Sequence, residues 1–473
     1  MNDVTTEDDS GVAETGPMAA AEAVTGEVDE DRVPQTIHKA LQSDKWKEAV
    51  LAEYEALQQN GTWSLVPLPT GRTIVGCKWL FMVKKNTDGI VQCYKVRLVT
   101  KGYSQVPGQD FQEIFSPVVK SATISVVLAL ATMHQWQLRQ VDVNNTFLNG
   151  DLTEEVFMEQ PSGFEQLAED GSRMVCKFNN VLYGPRQAPR SWYSKLKNHH
   201  VSIGFERSRV DSSLFTRRLA GIITYVLVYV DDIVITGSSD SDIEEVVKQL
   251  GAKFSLKDLG ALHYFLGFEV TRCDDAILLS QKKIIRELLV KTHMDKANLV
   301  PAPMLSTPKL VQDGGSPLVN ASEYRSVVSS LLYIYHTWPD IMYSVHKLAQ
   351  FMQNPCEQHL AAMKRVLRYL SGTIEYSLVF SSTPPGCRLT AFYDANWGGN
   401  TTDRRLVYGN CAYLGSIFVL WSSKKQKMVA RSTTEAEYRS LVDAASEVIW
   451  LGALLDEMGV KQTDVPVVWC DNS

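Results

Sequence analysis

Apolar residues recur at helical spacing from Ser43 onward. Trp46, Val50, Tyr54 and Leu57 share one face, and Asn60-Gly61 ends the run, which predicts an amphipathic helix. The stretch from Trp63 to Tyr103 is strand-rich. Asn86-Thr87-Asp88-Gly89 punctuates it as a hairpin turn between strands that carry Lys78–Phe81 and Lys95–Val99. Residues 121–136 are apolar and helix-compatible, and Val141-Asp142-Val143 reads as a short buried strand. A helix is predicted from Ala188 to His200. Ile222–Tyr229 and Ile233–Thr236 then read as a hairpin, followed by a helix over 240–250 and another hairpin strand from Leu262 to Val270. Beyond Ser280 the pattern turns helical, over 281–293, 322–336, 340–353 and 357–371. Pro384-Pro385-Gly386 marks a linker. Three strands (388–394, 407–414, 417–423), a long helix from Thr434 to about Met458 and a last strand, Val465 to Cys470, complete the pattern.

The hairpin at 222–236 carries the sharpest chemical signal. Asp231-Asp232 sits at its tip, with apolar residues at successive positions on both sides, so both faces of the hairpin are expected to be covered. Burying two adjacent carboxylates costs several kcal/mol for each unpaired ion. A divalent cation between them would offset that cost. The same pair also suits an exposed turn, where Asp is common. Asp142 stands in a second apolar strand, and three acids from two buried strands are the hard oxygen ligands that Mg²⁺ chemistry uses.

Charge alters this picture only at the N-terminus. Residues 1–33 hold ten acids against one base, Arg32, so the formal charge of −7 belongs to that tail and the rest of the chain is slightly positive. The tail has no aromatic residue and is expected to be disordered. A near-neutral body with basic patches is compatible with nucleic acid. The length of 473 residues suggests about three domains. The eight cysteines include no C-x-x-C pair, which argues against a zinc site or a secreted disulfide framework. No apolar run reaches about 18 residues, so no membrane span or signal peptide is predicted.

A series of motifs then follows in a specific order. Lys95-Val96-Arg97-Leu98-Val99-Thr100-Lys101-Gly102-Tyr103-Ser104-Gln105 is succeeded by Phe115-Ser116-Pro117-Val118-Val119-Lys120, by the run Asp142 to Leu152, and by Met158-Glu159-Gln160-Pro161. Leu182 to Arg190, Tyr229-Val230-Asp231-Asp232, Lys257-Asp258-Leu259-Gly260 and Tyr264-Phe265-Leu266-Gly267 come after. Over about residues 36–473 the chain resembles the reverse transcriptase and RNase H region of copia-type LTR retrotransposons.

The resemblance implies an α+β right-hand polymerase with fingers, palm and thumb and an antiparallel palm sheet, a helical connection, and a truncated RNase H-like α/β domain. Beyond the tail over 1–33, which lies outside the resemblance, it implies fingers and palm over 34–280, thumb and connection over 281–385, and the RNase H-like domain over 386–473. Asp142, Asp231 and Asp232 would be the catalytic metal ligands for Mg²⁺, or Mn²⁺ in its place. Phe147 would be the steric gate against a ribose 2′-hydroxyl. Lys95 and Arg97, two apart on one strand face, would clamp the triphosphate, with Tyr183, Gly184 and Gln187 supporting nucleotide and template base. Phe265, Leu266 and Gly267 would form a primer grip. Asp394, Glu437 and Asp471 would be RNase H metal ligands, with Glu435 instead an acid at the helix N-terminus.

Lys364, Arg365 and Arg368 share a helix face that suits either phosphate contact or plain solvation. The implied partners are an RNA template, a DNA primer, RNA–DNA hybrid and dNTPs, with no membrane. The implied location is intracellular, in cytoplasmic virus-like particles when the rest of the element is present. The chain departs from the family pattern at Asn396, at Pro185-Arg186 and at its end, Ser473, where the RNase H domain is expected to be incomplete. Two readings follow: an RNA-directed DNA polymerase with doubtful RNase H activity, or an inactive remnant that at most binds nucleic acid.

Overall fold

The computed structural model describes residues 33–85, 90–152, 154–382, 387–396, 405, 407–462 and 464–470. The acidic tail up to Arg32, the turn Asn86–Gly89, the linker Pro384-Pro385-Gly386 and Asp471 lie outside the described residues.

The fold is α+β with antiparallel sheets. The helix Asp44–Gln59 buries Trp46, Val50 and Leu57. Trp46 meets Phe81 and Tyr94 edge-on, with ring centroids 5.7 and 4.9 Å away. Those rings stand on a two-stranded sheet, Cys77–Lys85 against Val91–Thr100, in which Arg97 lies opposite Leu80. Alternation leaves Val96 and Leu98 in the core and turns Lys95 and Arg97 to the other face.

A six-stranded antiparallel sheet forms the centre. Its order is Leu256–Ala261, Leu138–Val143, Asp232–Gly237, Ile222–Tyr229, Leu214–Leu219, Glu206–Arg207. The continuous apolar runs have the predicted cause, because both faces are covered. Val141, Val143, Val226, Val228, Ile233 and Ile235 pack on the helices Ala188–Ser202 and Asp240–Lys253. Leu138, Tyr225, Leu227 and Val234 join a second core built around the helix Ser121–Met133.

That helix is buried at every position from Ala122 to Thr132. An amphipathic helix needs one apolar stripe; one buried all round needs layers on several sides. The second layer comes from the far end of the chain. The core that holds Leu130 also holds Val419 and Leu420 of the strand Ile417–Lys425, and Leu451, Leu454 and Leu455 of the long helix Thr433–Glu457. That helix lies on a four-stranded sheet in which Val467–Cys470 runs parallel to Leu389–Asn396. Polar contacts seal the junction. The Glu457 carboxylate accepts from Ser208 Oγ at 2.5 Å and Arg209 N at 3.0 Å, and Tyr225 Oη donates to Met458 O at 2.6 Å.

The predicted strand Leu262–Val270 is instead a tight hairpin, Tyr264–Phe265 against Phe268–Cys273, because Leu266 and Gly267 both take positive φ (48° and 72°). Two consecutive left-handed residues make a type I′ turn. Four helices, Lys282–Lys291, Ala321–Ile334, Met342–Ala349 and Glu357–Gly372, share a separate core. The chain then returns as Leu378–Ser381 to pair with Ala276–Ser280.

Because one helix serves both sheets, Leu130→Ala should lower stability by about 2–5 kcal/mol. It should do so in a single transition. Urea unfolding followed by hydrogen exchange is expected to show Leu214–Leu219 and Val407–Leu414 losing protection together. Independent loss of the two would contradict a shared core.

Candidate functional site

Asp142 and Asp232 are direct partners across the antiparallel strands Leu138–Val143 and Asp232–Gly237. They share the sheet face with Gln140, whose Nε2 donates to Asp232 Oδ1 at 3.1 Å. Asp231 lies on the two-residue turn Val230-Asp231, since Tyr229 pairs with Asp232. Val230 has φ 55°, a left-handed conformation that a β-branched residue rarely adopts. Surrounding bonds impose it: Trp192 Nε1 donates to Val230 O at 2.7 Å and Val143 N to Asp231 O at 3.0 Å. Such over-determined strain clusters at functional sites.

The electrostatics are those of carboxylates held without enough positive charge. Burial raises the Asp232 pKa to about 6; the Gln140 amide opposes the shift, and Asp231 and Asp142 add to it. Burial raises that of Asp231, with Asp142 adding to it and Lys95 opposing. The Lys95 ammonium is pulled down by burial and then by Arg97, and Asp142 and Asp231 hold it up. Lys95, from the two-stranded sheet, is therefore within electrostatic reach of two of the three acids. Among the described residues, no three His, Cys, Asp or Glu side chains converge closely enough to hold a metal ion by themselves.

Beside the acids runs a row of side chains. Arg97 Nη1 pairs with Glu53 Oε2 at 2.8 Å, and its guanidinium lies 5.2 Å from the centre of the Tyr183 ring. Tyr183 meets Phe147 edge-on at 5.1 Å. Gly184 has φ 108°, and a Cβ there would sit 2.2 Å from Thr100 O, so only glycine fits. Tyr183 O in turn accepts from Thr100 N at 2.8 Å, which ties the row to the strand carrying Lys95 and Arg97.

Gln187 is placed differently from Tyr183 and Gly184. It is 2% exposed; Gln105 Nε2 donates to its Oε1 at 3.1 Å and its Nε2 donates to Asp110 O at 3.0 Å. Its amide is fully engaged in holding the loop from inside. Arg186, at the departure from the family pattern, donates through Nε to Gly102 O at 3.0 Å.

Phe265 is buried, while the Leu266-Gly267 turn faces a cavity of about 390 Å³ whose wall also includes Gln140 and Asp232. Tyr333 Oη donates to Leu266 O. In the C-terminal sheet, Asp394 is exposed and Glu437 is half-buried on the long helix. Ser432 caps that helix, and Glu435 in its first turn accepts from Arg431 N at 2.7 Å and pairs with Arg439. Gln140, Trp192 and Glu53 did not stand out in the sequence. Strand alternation from Asp142 could have found Gln140, whereas Trp192 and Glu53 reach the site only through tertiary packing.

Residues 60–306 match the family described as "Reverse transcriptase (RNA-dependent DNA polymerase)". The chain belongs to this family, in its copia-type retrotransposon branch. It is 46% identical over 440 residues to the retrovirus-related Pol polyprotein from transposon RE1 of Arabidopsis thaliana, covering 93% of this chain and 30% of that protein. It is 37% identical over 460 residues to the Pol polyprotein from transposon TNT 1-94 of Nicotiana tabacum, covering 94% of this chain and 34% of that protein. The chain thus spans about a third of the length of these curated relatives. A foamy viral protease–reverse transcriptase solved with double-stranded DNA aligns at TM-score 0.45 and 11% identity over 90% of this chain and 62% of that chain. The reverse transcriptase match includes all three acids, the Lys95–Tyr183 row and the Leu266 turn. Among the described residues, no helix is long and apolar enough to cross a membrane.

A raised carboxylate pKa makes the folded state hold its proton more tightly than the unfolded one. The folded protein without metal should therefore lose stability as pH rises from about 4 through about 6, the value for Asp232. Asp232→Asn should remove much of that slope and raise the melting temperature at pH 7.5 more than at pH 4.5. Thermal scans in EDTA check this. An equal effect at both pH values would mean that Asp232 is not strained as a charge.

Proposed function

We propose that this chain is an RNA-directed DNA polymerase that transfers nucleotidyl groups from dNTPs to a primer 3′-hydroxyl on an RNA or DNA template. The observation that carries the reading is the placement of Asp142 opposite Asp232, with Asp231 on the adjoining turn and Lys95 in electrostatic reach. Asp142, Asp231 and Asp232 would hold divalent cations, Mg²⁺ or Mn²⁺. The upward shift of Asp232 supports that fit, because burial makes its negative charge costly and a nearby cation would offset that cost. Two such ions, when bound, lower the pKa of the primer hydroxyl and neutralise the departing pyrophosphate.

The chain's own groups position the reactants. Lys95 and Arg97 would bind the triphosphate, and Glu53 would hold the Arg97 fork in place until phosphate competes for it. Phe147, braced by Tyr183, would fill the space that a 2′-hydroxyl needs. Gln187 would act through the loop it supports, and the turn Phe265-Leu266-Gly267 would hold the primer end beside Asp232. Asp394, Glu437 and Asp471 would be the metal ligands of the RNase H-like domain, for which no hydrolytic activity is proposed, and the chain would act inside a cytoplasmic particle when the rest of the element is present.

Primer extension tests this. Purified protein with dNTPs and Mg²⁺ should extend a DNA primer on an RNA template, and the Asp231→Asn, Asp232→Asn double variant should not. A folded wild type that extends nothing would instead leave an inactive remnant.

A second measurement addresses sugar selection. Phe147→Ala should raise incorporation of rNTPs relative to dNTPs by roughly tenfold or more, the scale on which a site rejects one misfitting group. Single-turnover kinetics with matched rNTP and dNTP read the ratio. An unchanged ratio would remove Phe147 from that role.

A further inference from the structure

The four-helix unit contains a cavity that the polymerase chemistry does not use. It has a volume of about 840 Å³ and lies between the loop around Met304–Leu310 and the helices Met342–Ala349 and Glu357–Gly372. Such a volume is typical of a small-molecule site. Its wall is mainly apolar, with Met304, Leu310, Ala361 and Ala362, and it includes the ring of Tyr343, which is 46% exposed.

The polar lining is unbalanced. Lys309, Lys347, Arg365 and Arg368 stand against one carboxylate, Asp340, which already accepts from Tyr369 Oη. Arg368 directs its Nε to Asn298 O at 2.5 Å. Arg365 is different. Its Nε is buried and has no hydrogen-bond partner among the described residues. A buried guanidinium N–H left unsatisfied is unfavourable, and a bound anion would satisfy it. The loop over the cavity is fastened at one side, where Gln358 Nε2 donates to Lys309 O at 3.3 Å and its Oε1 accepts from Val311 N at 3.4 Å.

An apolar wall with an open aromatic ring, next to a cluster of cations, is the combination that takes a flat heterocycle joined to a phosphate. We propose that this cavity is a second nucleotide site, in which an unpaired base lies against Tyr343 and the apolar wall while its phosphate meets Arg365 and Lys347. The chemistry is that of one nucleotide unit, supplied either free or as an unpaired residue of a strand. The inference rests on the polymerase reading only in expecting a nucleic acid strand nearby; the cavity and its cations stand without it.

The probes are 5-iodo-2′-deoxyuridine 5′-monophosphate and a short single-stranded DNA oligonucleotide carrying one 5-iodo-2′-deoxyuridine. Each is photo-crosslinked to the whole chain in EDTA, and the modified peptide is mapped by mass spectrometry. Crosslinking at Tyr343 by the monophosphate would support a free-nucleotide site, and crosslinking by the oligonucleotide alone would support a strand site. Arg365→Met should weaken oligonucleotide binding roughly tenfold and reduce the log–log salt slope by about 0.7, the value for one single-strand phosphate contact. Tyr343→Leu should weaken it by a similar factor with no change in salt slope.

Crosslinks confined to other peptides, with neither substitution changing affinity in protein of unchanged melting temperature, would overturn the proposal. The Asp231→Asn, Asp232→Asn variant separates the two readings. Extension lost with the Tyr343 crosslink kept means that the two sites are distinct. A wild type that crosslinks at Tyr343 but extends nothing would sink the polymerase reading and keep this one.

Discussion

Two carboxylates placed directly opposite each other on neighbouring strands repel, and the arrangement persists only if everything around it is rigid. Asp142 and Asp232 are such a pair. A slip of one residue in register would turn one acid to the opposite face and exchange it for a valine or isoleucine. That slip is blocked because Val141 and Ile233, themselves partners, are fully buried on the other face. The turn is fixed as firmly: Trp192 takes the Val230 carbonyl and Val143 takes that of Asp231. The helices around the sheet can therefore be read as the frame for one electrostatically unfavourable contact.

The side chains that meet substrate-sized space come from separate elements. Lys95 and Arg97 belong to a two-stranded sheet, Tyr183 and Gly184 to a loop, and Leu266-Gly267 to a hairpin turn. Backbone bonds keep these pieces in step. Thr100 N to Tyr183 O joins the strand to the loop, and neither glycine there tolerates a Cβ, which at Gly102 would meet Gly184 O and at Gly184 would meet Thr100 O. Gln105, Gln187 and Arg186 fill the gap behind them with hydrogen bonds. Much of the polarity of that loop thus supports its shape.

Elements with a strong period were legible in the sequence. Trp46, Val50 and Leu57 marked their helix, and the unbroken apolar run around Asp231-Asp232 indicated a hairpin covered on both faces. The acids were legible for the same reason, since charge inside an apolar run is a local anomaly. What was not legible depended on distant partners. Leu266 takes positive φ beside a turn closed by Tyr333, so the predicted strand became a hairpin. Gln187 sits in a motif near the site, yet its amide points inward, which spacing does not reveal. Glu53 reaches Arg97 from a helix whose pattern reports only its buried side.

The helix Ser121–Met133 showed an apolar character too complete for one interface, but nothing local named the second. It proved to include Val419, Leu454 and Leu455. This separation has a consequence for how the protein is made. The helix leaves the ribosome long before the residues that cover its outer flank exist. During that interval the apolar residues of its outer flank face water, and the nascent chain carries a surface suited to aggregation or to chaperone capture. Completion of the fold waits on contacts of very long sequence separation, which are slow to close. The arrangement that gives the finished molecule a common core also makes its assembly an end-to-end event.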